Sequence, residues 1–208
     1  MTGIVTDNVG RSSGLIKAAS VAGGSWTKIK ELTASSSATL SFVDGTSDVV
    51  FDSTYPIYVF KFINIHPATD STVFQFQCST DGGSNYNTTM TSTFFRSAHD
   101  EADSTTVFGQ DTGSDQAQGT AFQGLNVTIG NDNDQCGVGM FTLYAPADTT
   151  HVKHFNFRGV NDNSGEYAAD AFAAGYFNTT SAIDAIQFKL ASGNIDTGKI
   201  KMYGLKDS

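Results

Sequence analysis

Residues 73–79, Val-Phe-Gln-Phe-Gln-Cys-Ser, alternate apolar and polar side chains, and this stretch decides the fold class. Successive side chains of a β-strand point to opposite faces, so the two phenylalanines and the cysteine share one face and the two glutamines the other. The pattern therefore predicts a strand with one buried face and one solvated face.

The same alternation recurs near the C-terminus. Residues 183–190 place Ile186 and Phe188 on one face and polar side chains on the other. Residues 199–205 likewise place Ile200 opposite two lysines. Each segment predicts a strand that covers one side of a core.

Residues 57–65 are apolar on both faces except at Lys61, which is typical of a central strand covered on both sides. Turn residues separate the apolar runs, as at residues 81–83, where two glycines supply the positive φ that a tight reversal needs. The predicted strands are residues 26–32, 38–43, 49–51, 57–65, 73–79, 90–95, 122–129, 137–145, 152–157, 171–178, 183–190 and 199–205. Short strands at this spacing predict an antiparallel β-sandwich formed by residues 26–208.

Two segments do not fit this pattern. Residues 1–25 mix glycine, serine and alanine around isolated apolar residues without a sustained period, which predicts an extended N-terminal arm. Such an arm is ordered only when another surface holds it, so we expect it to dock onto a neighbouring subunit. Residues 97–120 are polar and acidic, and they predict a long functional or mobile loop.

The composition limits the partners. With a formal net charge of −9 and only 12 Lys and Arg in 208 residues, the chain is poorly suited to bind phosphates, so we expect no nucleic-acid partner. No apolar stretch approaches the roughly 20 residues that span a bilayer, so we expect no membrane partner. The N-terminus lacks the basic start and apolar core of a signal peptide, which favours synthesis in the cytoplasm.

No catalytic residue is predicted. Residues 10–14, Gly-Arg-Ser-Ser-Gly, spell a nucleophile elbow, but that motif needs a strand before Ser12 and a helix after it. His151 and His154 are three positions apart, which places them on opposite faces of a strand, where they cannot share one metal ion. We therefore expect neither an enzymatic activity nor a cofactor.

Acidic clusters are the metal candidates. Asp132 and Asp134 alternate with two asparagines, and oxygen donors at this short spacing suit calcium. Because Cys136 replaces a donor of the calcium-loop pattern, a solvated turn is the favoured interpretation and a calcium site the weaker one. The spacing of Cys78 and Cys136 predicts free thiols, with a disulfide or a metal site as the alternatives. Two further acidic groups occur, at residues 100–103 and 162–166.

A sugar-binding module usually displays aromatic platforms, and this chain has few candidates. The sole tryptophan, Trp26, stands at the entrance of the domain, and most phenylalanines fall on the inward phase of their strands. Four tyrosines could be exposed platforms, with packing in the core or in hairpins as the alternative: Tyr86, Tyr144, Tyr167 and Tyr176.

Several short segments carry a resemblance. Residues 192–195 read Ser-Gly-Asn-Ile, residues 198–206 read Gly-Lys-Ile-Lys-Met-Tyr-Gly-Leu-Lys, and residues 79–86 read Ser-Thr-Asp-Gly-Gly-Ser-Asn-Tyr. Together with residues 26–43 and 181–188, they resemble a diffuse group of tailed-bacteriophage structural proteins. The resemblance implies a jelly-roll-like sandwich in the virion, with no enzymatic residues to transfer.

We therefore expect a non-enzymatic virion structural protein that residues 1–25 anchor. Head decoration or cement is favoured over a tail protein, because the heptads or tandem repeats of a fibre shaft are absent. The expected partners are capsid or tail subunits and further copies of this chain, since contacts between subunits cover exposed strand edges. The alternative is a tail or tail-fibre carbohydrate-binding module that recognises a host-surface glycan.

Overall fold

A computed structural model describes residues 26–206, and within this range every regular element is a β-strand. The thirteen strands are β1 (Trp26–Ser37), β2 (Leu40–Val43), β3 (Ile57–Pro67), β4 (Phe74–Ser79), β5 (Met90–Asp100), β6 (Thr106–Gln110), β7 (Gln116–Gly119), β8 (Gln123–Gly124), β9 (Gly137–Tyr144), β10 (Lys153–Asp162), β11 (Tyr167–Phe177), β12 (Ala185–Leu190) and β13 (Ile195–Leu205). No helix long and apolar enough to cross a membrane occurs in this part of the chain.

The strands form two antiparallel sheets that pack against each other. The nine-stranded sheet has the order β1-β13-β3-β9-β10-β11-β5-β6, and β7 pairs with β5 beside β6. The four-stranded sheet has the order β2-β12-β4-β8. The chain passes repeatedly from one sheet to the other, as in a jelly-roll-like sandwich. The predicted antiparallel β-sandwich is confirmed, with two sheets of unequal width.

Aromatic side chains fill the space between the sheets, and Phe188 of β12 lies at their centre. Its side chain is fully buried, as are those of Ile186, Ile200 and Met202, so the predicted inward phase of both C-terminal strands is confirmed. The centroid of the Phe188 ring lies within 6.4 Å of the ring centroids of six phenylalanines: Phe42, Phe60, Phe62, Phe74, Phe76 and Phe141. Rings packed at such distances stabilise the core both by burial and by edge-to-face contact.

The central position of residues 57–65 is confirmed within the sheet, because β3 lies between β13 and β9. The prediction that both sides of this strand are covered is wrong. On the face turned away from the small sheet, Val59 is buried, but Lys61 and Ile63 are exposed. The apolar run therefore supplies one core face and part of an open surface.

The solvated face predicted for residues 73–79 is also wrong at one position. Gln77 is fully buried. Its Nε2 donates to the carbonyl oxygens of Thr120 and Ala121, at 3.1 and 2.9 Å. A buried amide is tolerated because these backbone acceptors replace water, and alternation alone does not reveal that a neighbouring segment lies over the polar face.

Residues 97–120 are not one long loop. They contain the end of β5 and the strands β6 and β7, which pair with β5 at the edge of the large sheet. An edge strand of this kind can carry polar side chains on both faces because its backbone hydrogen bonds, rather than side-chain burial, hold it in place. The polar composition of residues 97–120 is therefore the reason that the sequence did not predict β6 and β7.

Two shorter predicted strands are also wrong in extent. Residues 49–51 form no strand, although Val49 and Phe51 are buried, and within residues 122–129 only β8 and one bridge from Ile129 to Thr72 are paired. Burial without a partner strand explains the apolar pattern of both segments. The predicted arm at residues 1–25 lies outside the described residues.

Candidate functional site

The face of the nine-stranded sheet that turns away from the small sheet is called here the outer face. Directly opposed residues in antiparallel strands share a face, so the strand registers define rows of side chains across it. One row crosses eight strands: Glu31, Lys201, Lys61, Met140, Arg158, Phe172, Phe95 and Gln110. The row is charged at the β1 end and aromatic at the β5 end.

Exposed apolar side chains concentrate on this face. Among the described residues, ten large hydrophobic side chains are at least 36% exposed. Eight belong to the outer face, which leaves Val50 and Val107 elsewhere: Trp26, Ile63, Phe95, Phe108, Val138, Met140, Tyr144 and Val160. Ile63, Val138, Met140 and Val160 form the apolar patch, in which Val138 and Val160 are direct cross-strand neighbours. Exposed apolar side chains that adjoin one another make this patch a candidate interaction surface.

The β1 end of the outer face is a small charged network. Glu31 forms ion pairs with Lys28, Lys199 and Lys201, with N···O distances of 3.5, 3.6 and 3.8 Å. Partial desolvation opposes ionisation of Glu31, but the three lysine charges outweigh it and lower the pKa of its carboxyl. Three lysines around one carboxylate leave this end locally positive, although the whole chain is acidic.

At the centre of the outer face, one arginine is fixed from two sides. Arg158 donates from Nε and Nη2 to the two carboxylate oxygens of Asp170, at 3.2 and 2.9 Å. These hydrogen bonds raise the pKa of Arg158. Its guanidinium carbon lies 5.0 Å from the centroid of the Phe172 ring, which in turn stacks on Phe95 at 4.6 Å. Asp170 thus neutralises the arginine locally and leaves an aromatic wall beside it.

A trough lies across β9, β10, β11 and β5. Its floor is the row Asn156, Ala174 and Thr93, and both hollows that form the trough share these residues. The hollows have volumes of about 510 and 330 Å³. The depression exists because Ala174 stands between Phe172 and Tyr176 on the same face of β11.

The first wall consists of Tyr144, His154 and Tyr176 on three adjacent strands, and the second contains Met140, Arg158, Phe172 and Phe95. The rings of His154 and Tyr176 have a centroid distance of 6.1 Å. Asn156 Nδ2 donates to the Tyr144 hydroxyl at 3.0 Å, which fixes the amide in the floor of the trough. The trough therefore offers aromatic rings with neutral polar groups between them.

The four predicted tyrosine platforms separate into two groups. Tyr144 and Tyr176 are brought together in the trough. The Tyr86 hydroxyl lies near Gly83 in the turn after β4, and Tyr167 begins β11 beside Gly165, so neither of them lines the trough. Trp26 is exposed on the outer face, where Lys61 Nζ lies 4.6 Å from its ring centroid.

Sequence reasoning missed His154, Asn156 and Ala174 as parts of a surface. The signal was present in the outward phase of the predicted strand at residues 171–178, where Phe172, Ala174 and Tyr176 place a small residue between two aromatic ones. Phe95, Phe108 and Phe172 are exceptions to the inward phase of most phenylalanines. Which outward residues meet was set by the pairing of β10 with β11, and this pairing is not readable from either strand alone.

The calcium candidates Asp132 and Asp134 are exposed in the turn before β9. Within residues 26–206, no group of three or more His, Cys, Asp or Glu side chains has an arrangement that could hold a metal ion. The nearby Glu166 has a raised pKa, first through partial desolvation and then through repulsion from surrounding carboxylates, including both of these aspartates. We therefore propose no metal site at Asp132 and Asp134.

Asp100, in another predicted acidic group, organises a turn. It is buried at the end of β5 and accepts hydrogen bonds from the backbone of Ser104 and Thr105 at 2.9 and 2.8 Å, and from the Ser104 hydroxyl. These bonds, led by the Ser104 hydroxyl, lower the pKa of Asp100. The carboxylate satisfies the turn that leads into β6.

Within residues 26–206, the remaining candidates do not converge on a reactive centre. Ser12 lies outside the described residues. His151 binds Asp148 through Nδ1 at 2.9 Å in the turn before β10, whereas His154 stands on β10 in the trough. Cys78 is buried and Cys136 is half-buried, and both are free thiols as predicted. Burial raises the pKa of the Cys78 thiol.

Comparisons of the chain with protein families, curated proteins and solved structures gave no match. Fold and site together define a β-sandwich whose outer face carries an apolar patch and an aromatic trough. The proposed function is therefore argued from the side chains of that face.

Proposed function

We propose that this protein is a non-enzymatic structural subunit of a tailed-bacteriophage virion, with head decoration or cement as the leading role. Residues 1–25 serve as the anchor, and the outer face makes contact with capsid or tail subunits. The observation that carries the proposal is the concentration of exposed apolar side chains on one face of a wide sheet. Such a surface is stabilised when another protein covers it.

Two further observations support this assignment. The C-terminal segments that resemble phage structural proteins correspond to β12 and β13, one strand from each sheet, so the resemblance falls on the framework of the fold. Trp26, the first described residue, belongs to the outer face through its contact with Lys61. An anchor that precedes Trp26 therefore starts from the same face as the apolar patch.

The test is association with phage particles that lack the protein. We expect the full chain to bind and the variants Met140→Asp and Val160→Asp to lose binding at least about tenfold, because each places a charge in the apolar patch. Val50→Asp is the matched control at an exposed valine outside the outer face. A chain that starts at residue 26 should keep its melting temperature, since its core lies within residues 26–206, and should lose particle binding.

Equal binding by the patch variants and the control would contradict the role of the outer face. Particle binding by the chain that starts at residue 26 would reject the anchor. Absence of the full chain from head and tail alike would reject the virion assignment.

A second candidate function is recognition of a glycan, and the trough is the observation that favours it. Sugar rings present apolar C–H faces that pack on aromatic rings, and their hydroxyls pair with neutral polar groups. Tyr144 and Tyr176 supply rings, while Asn156 supplies an amide between them. Because Asp170 neutralises Arg158, a neutral oligosaccharide fits this lining better than an acidic one. This function needs an open outer face, whereas assembly through it needs a covered one.

An array of neutral and acidic glycans tests this alternative. We expect neutral oligosaccharides to bind, Tyr176→Ala to weaken binding about tenfold, and Ala174→Phe to abolish it by filling the floor of the trough. Tyr167→Ala is the control, because it removes a tyrosine outside the trough. No binding with or without calcium, or equal binding by all variants, would contradict it.

A further inference from the structure

The two edges of the nine-stranded sheet differ in how they are protected. The edge strand β1 carries Lys28, Lys30 and Glu31, and its pairing with β13 contains an irregularity between the two lysines. Charged side chains and bulges keep an edge strand from pairing with another chain. The β1 edge is therefore a protected edge.

The opposite edge strand, β6, has none of these features. Its sequence Thr-Val-Phe-Gly-Gln contains no charge and no proline, and its register with β5 is regular. Phe108 is 82% exposed and Val107 37% exposed. One side of β6 bonds to β5, and within residues 26–206 no strand pairs with its other side. An uncharged apolar edge of this kind is a template for strand addition.

We propose that β6 pairs in an antiparallel manner with β6 of a second copy of this chain, in the register that places Phe108 opposite its own counterpart. The strand is self-complementary in that register, because Phe108 is the middle of its five residues. The two phenylalanines form an aromatic cross-strand pair on the outer face. Joining the edges makes one continuous sheet across both copies.

The flanking positions fit the same register. Thr106 lies opposite Gln110 of the second copy, and Val107 lies opposite Gly109. A Cβ on Gly109 would meet no atom within 4 Å in the single chain, so this position leaves open space beside the valine of the other copy. The Thr106–Gln110 pairs therefore flank the central phenylalanines on the outer face, and the Val107–Gly109 pairs lie on the opposite face of the joined sheet.

Charge does not oppose this pairing locally. Residues at equal distances from Phe108 face each other along the strand, so Asp111 of one copy faces Thr105 of the other. Within residues 105–111, no carboxylate of one copy therefore stands opposite a carboxylate of the other, despite the net charge of −9 on each chain. Like charges directly opposed would destabilise the pair.

The biological setting of this dimer rests on the proposed virion role, whereas its geometry does not. A five-residue strand spans only about 17 Å, and the pairing buries little surface, so the isolated dimer is weak. On a particle that holds many copies side by side, the effective concentration strengthens the same contact.

Sedimentation velocity of the full chain at increasing concentration tests the proposal. We expect a reversible dimer in the range of about 10–100 µM. Phe108→Lys and Phe108→Glu should each be monomeric, because each places like charges opposite one another. An equimolar mixture should dimerise again, since the introduced lysine faces the introduced glutamate only in the proposed register. Val50→Glu is the control and should dimerise like the parent chain.

Thermal melting of each single variant checks that it is folded. A parent chain that stays monomeric up to about 100 µM would overturn the proposal. A mixture no more associated than its two components would overturn the register. Loss of particle association with an intact dimer would contradict the virion role and leave the β6 pairing standing, so the two failures are distinguishable.

Discussion

The inner and outer faces of the nine-stranded sheet use the same strands for opposite purposes. On the inner face of β9, Phe141 is fully buried, and on its outer face Met140 is 44% exposed. On β10 the alternation is complete, with Phe155 and Phe157 buried and His154, Asn156 and Arg158 exposed. The inner face stabilises the fold through packing, and the outer face leaves apolar and aromatic groups free for another molecule.

The largest expected effect lies in the core between the two sheets, which the inner face of the large sheet contacts. Phe188→Ala should lower the free energy of unfolding by about 3–5 kcal/mol, because it removes a ring at the centre of the core and leaves a cavity. Phe95→Ala, on the outer face, should cost about 1 kcal/mol or less, since its ring is 39% exposed and contacts mainly Phe172. Denaturant unfolding of both variants measures the difference. Equal losses would mean that the outer face is part of the core.

A smaller effect is expected at a glycine of the inner face. The ring of Phe157 lies against Gly159 and Gly139, and a Cβ on Gly159 would lie 2.7 Å from the Val138 carbonyl oxygen. Gly159→Ala should therefore cost about 1–3 kcal/mol through overpacking. Gly109→Ala is the matched control at an edge-strand glycine with open space. Its free energy of unfolding should change by about 0.5 kcal/mol or less, or rise slightly.

The outer face should tolerate loss of its apolar character. Val138 and Val160 are cross-strand neighbours, and each is at least 40% exposed. The double variant Val138→Thr, Val160→Thr should lose less than about 1 kcal/mol of stability, since threonine suits a strand and the methyl groups removed contact mostly water. Binding of a hydrophobic fluorescent dye should fall with it. Unchanged dye binding would show that the apolar patch is not the accessible apolar surface.

Much of the fold could be predicted from the sequence, because period-2 alternation reports directly on burial. It identified β4, β12 and β13 and the inward phase of Phe188 and Met202. It failed where the outward face of a strand is buried by another segment, and where a strand has no buried face. Gln77 is buried by an adjacent loop that alternation cannot report, and β6 is a strand held at an edge without a buried face.

The candidate site was less accessible to sequence reasoning. Tyr144 and Tyr176 were recognised as candidate platforms, but they are 32 positions apart in the chain and meet only through β10, which pairs with both of their strands. Nothing in a single sequence gives the register between strands. Ala174 illustrates the same limit, because a small residue becomes the floor of a trough only when its neighbours are known.

The turns provide the smallest expected effect, and one that depends on pH. Asp148 precedes β10 and accepts hydrogen bonds first from the backbone of Thr150 and then from His151, which lowers the pKa of its carboxyl to about 2. A carboxyl with a lowered pKa stabilises the fold above its ordinary value near 3.8, and this contribution is lost as the pH falls towards 2. Asp148→Asn should therefore be less stable than the parent chain at pH 7, and the difference should shrink as the pH falls from about 5 to 2. Urea unfolding midpoints across this range measure the convergence, with Asp134→Asn as the control at an exposed turn. A difference that persists unchanged at the lowest pH would mean that the hydrogen bonds of Asp148 do not depend on its charge.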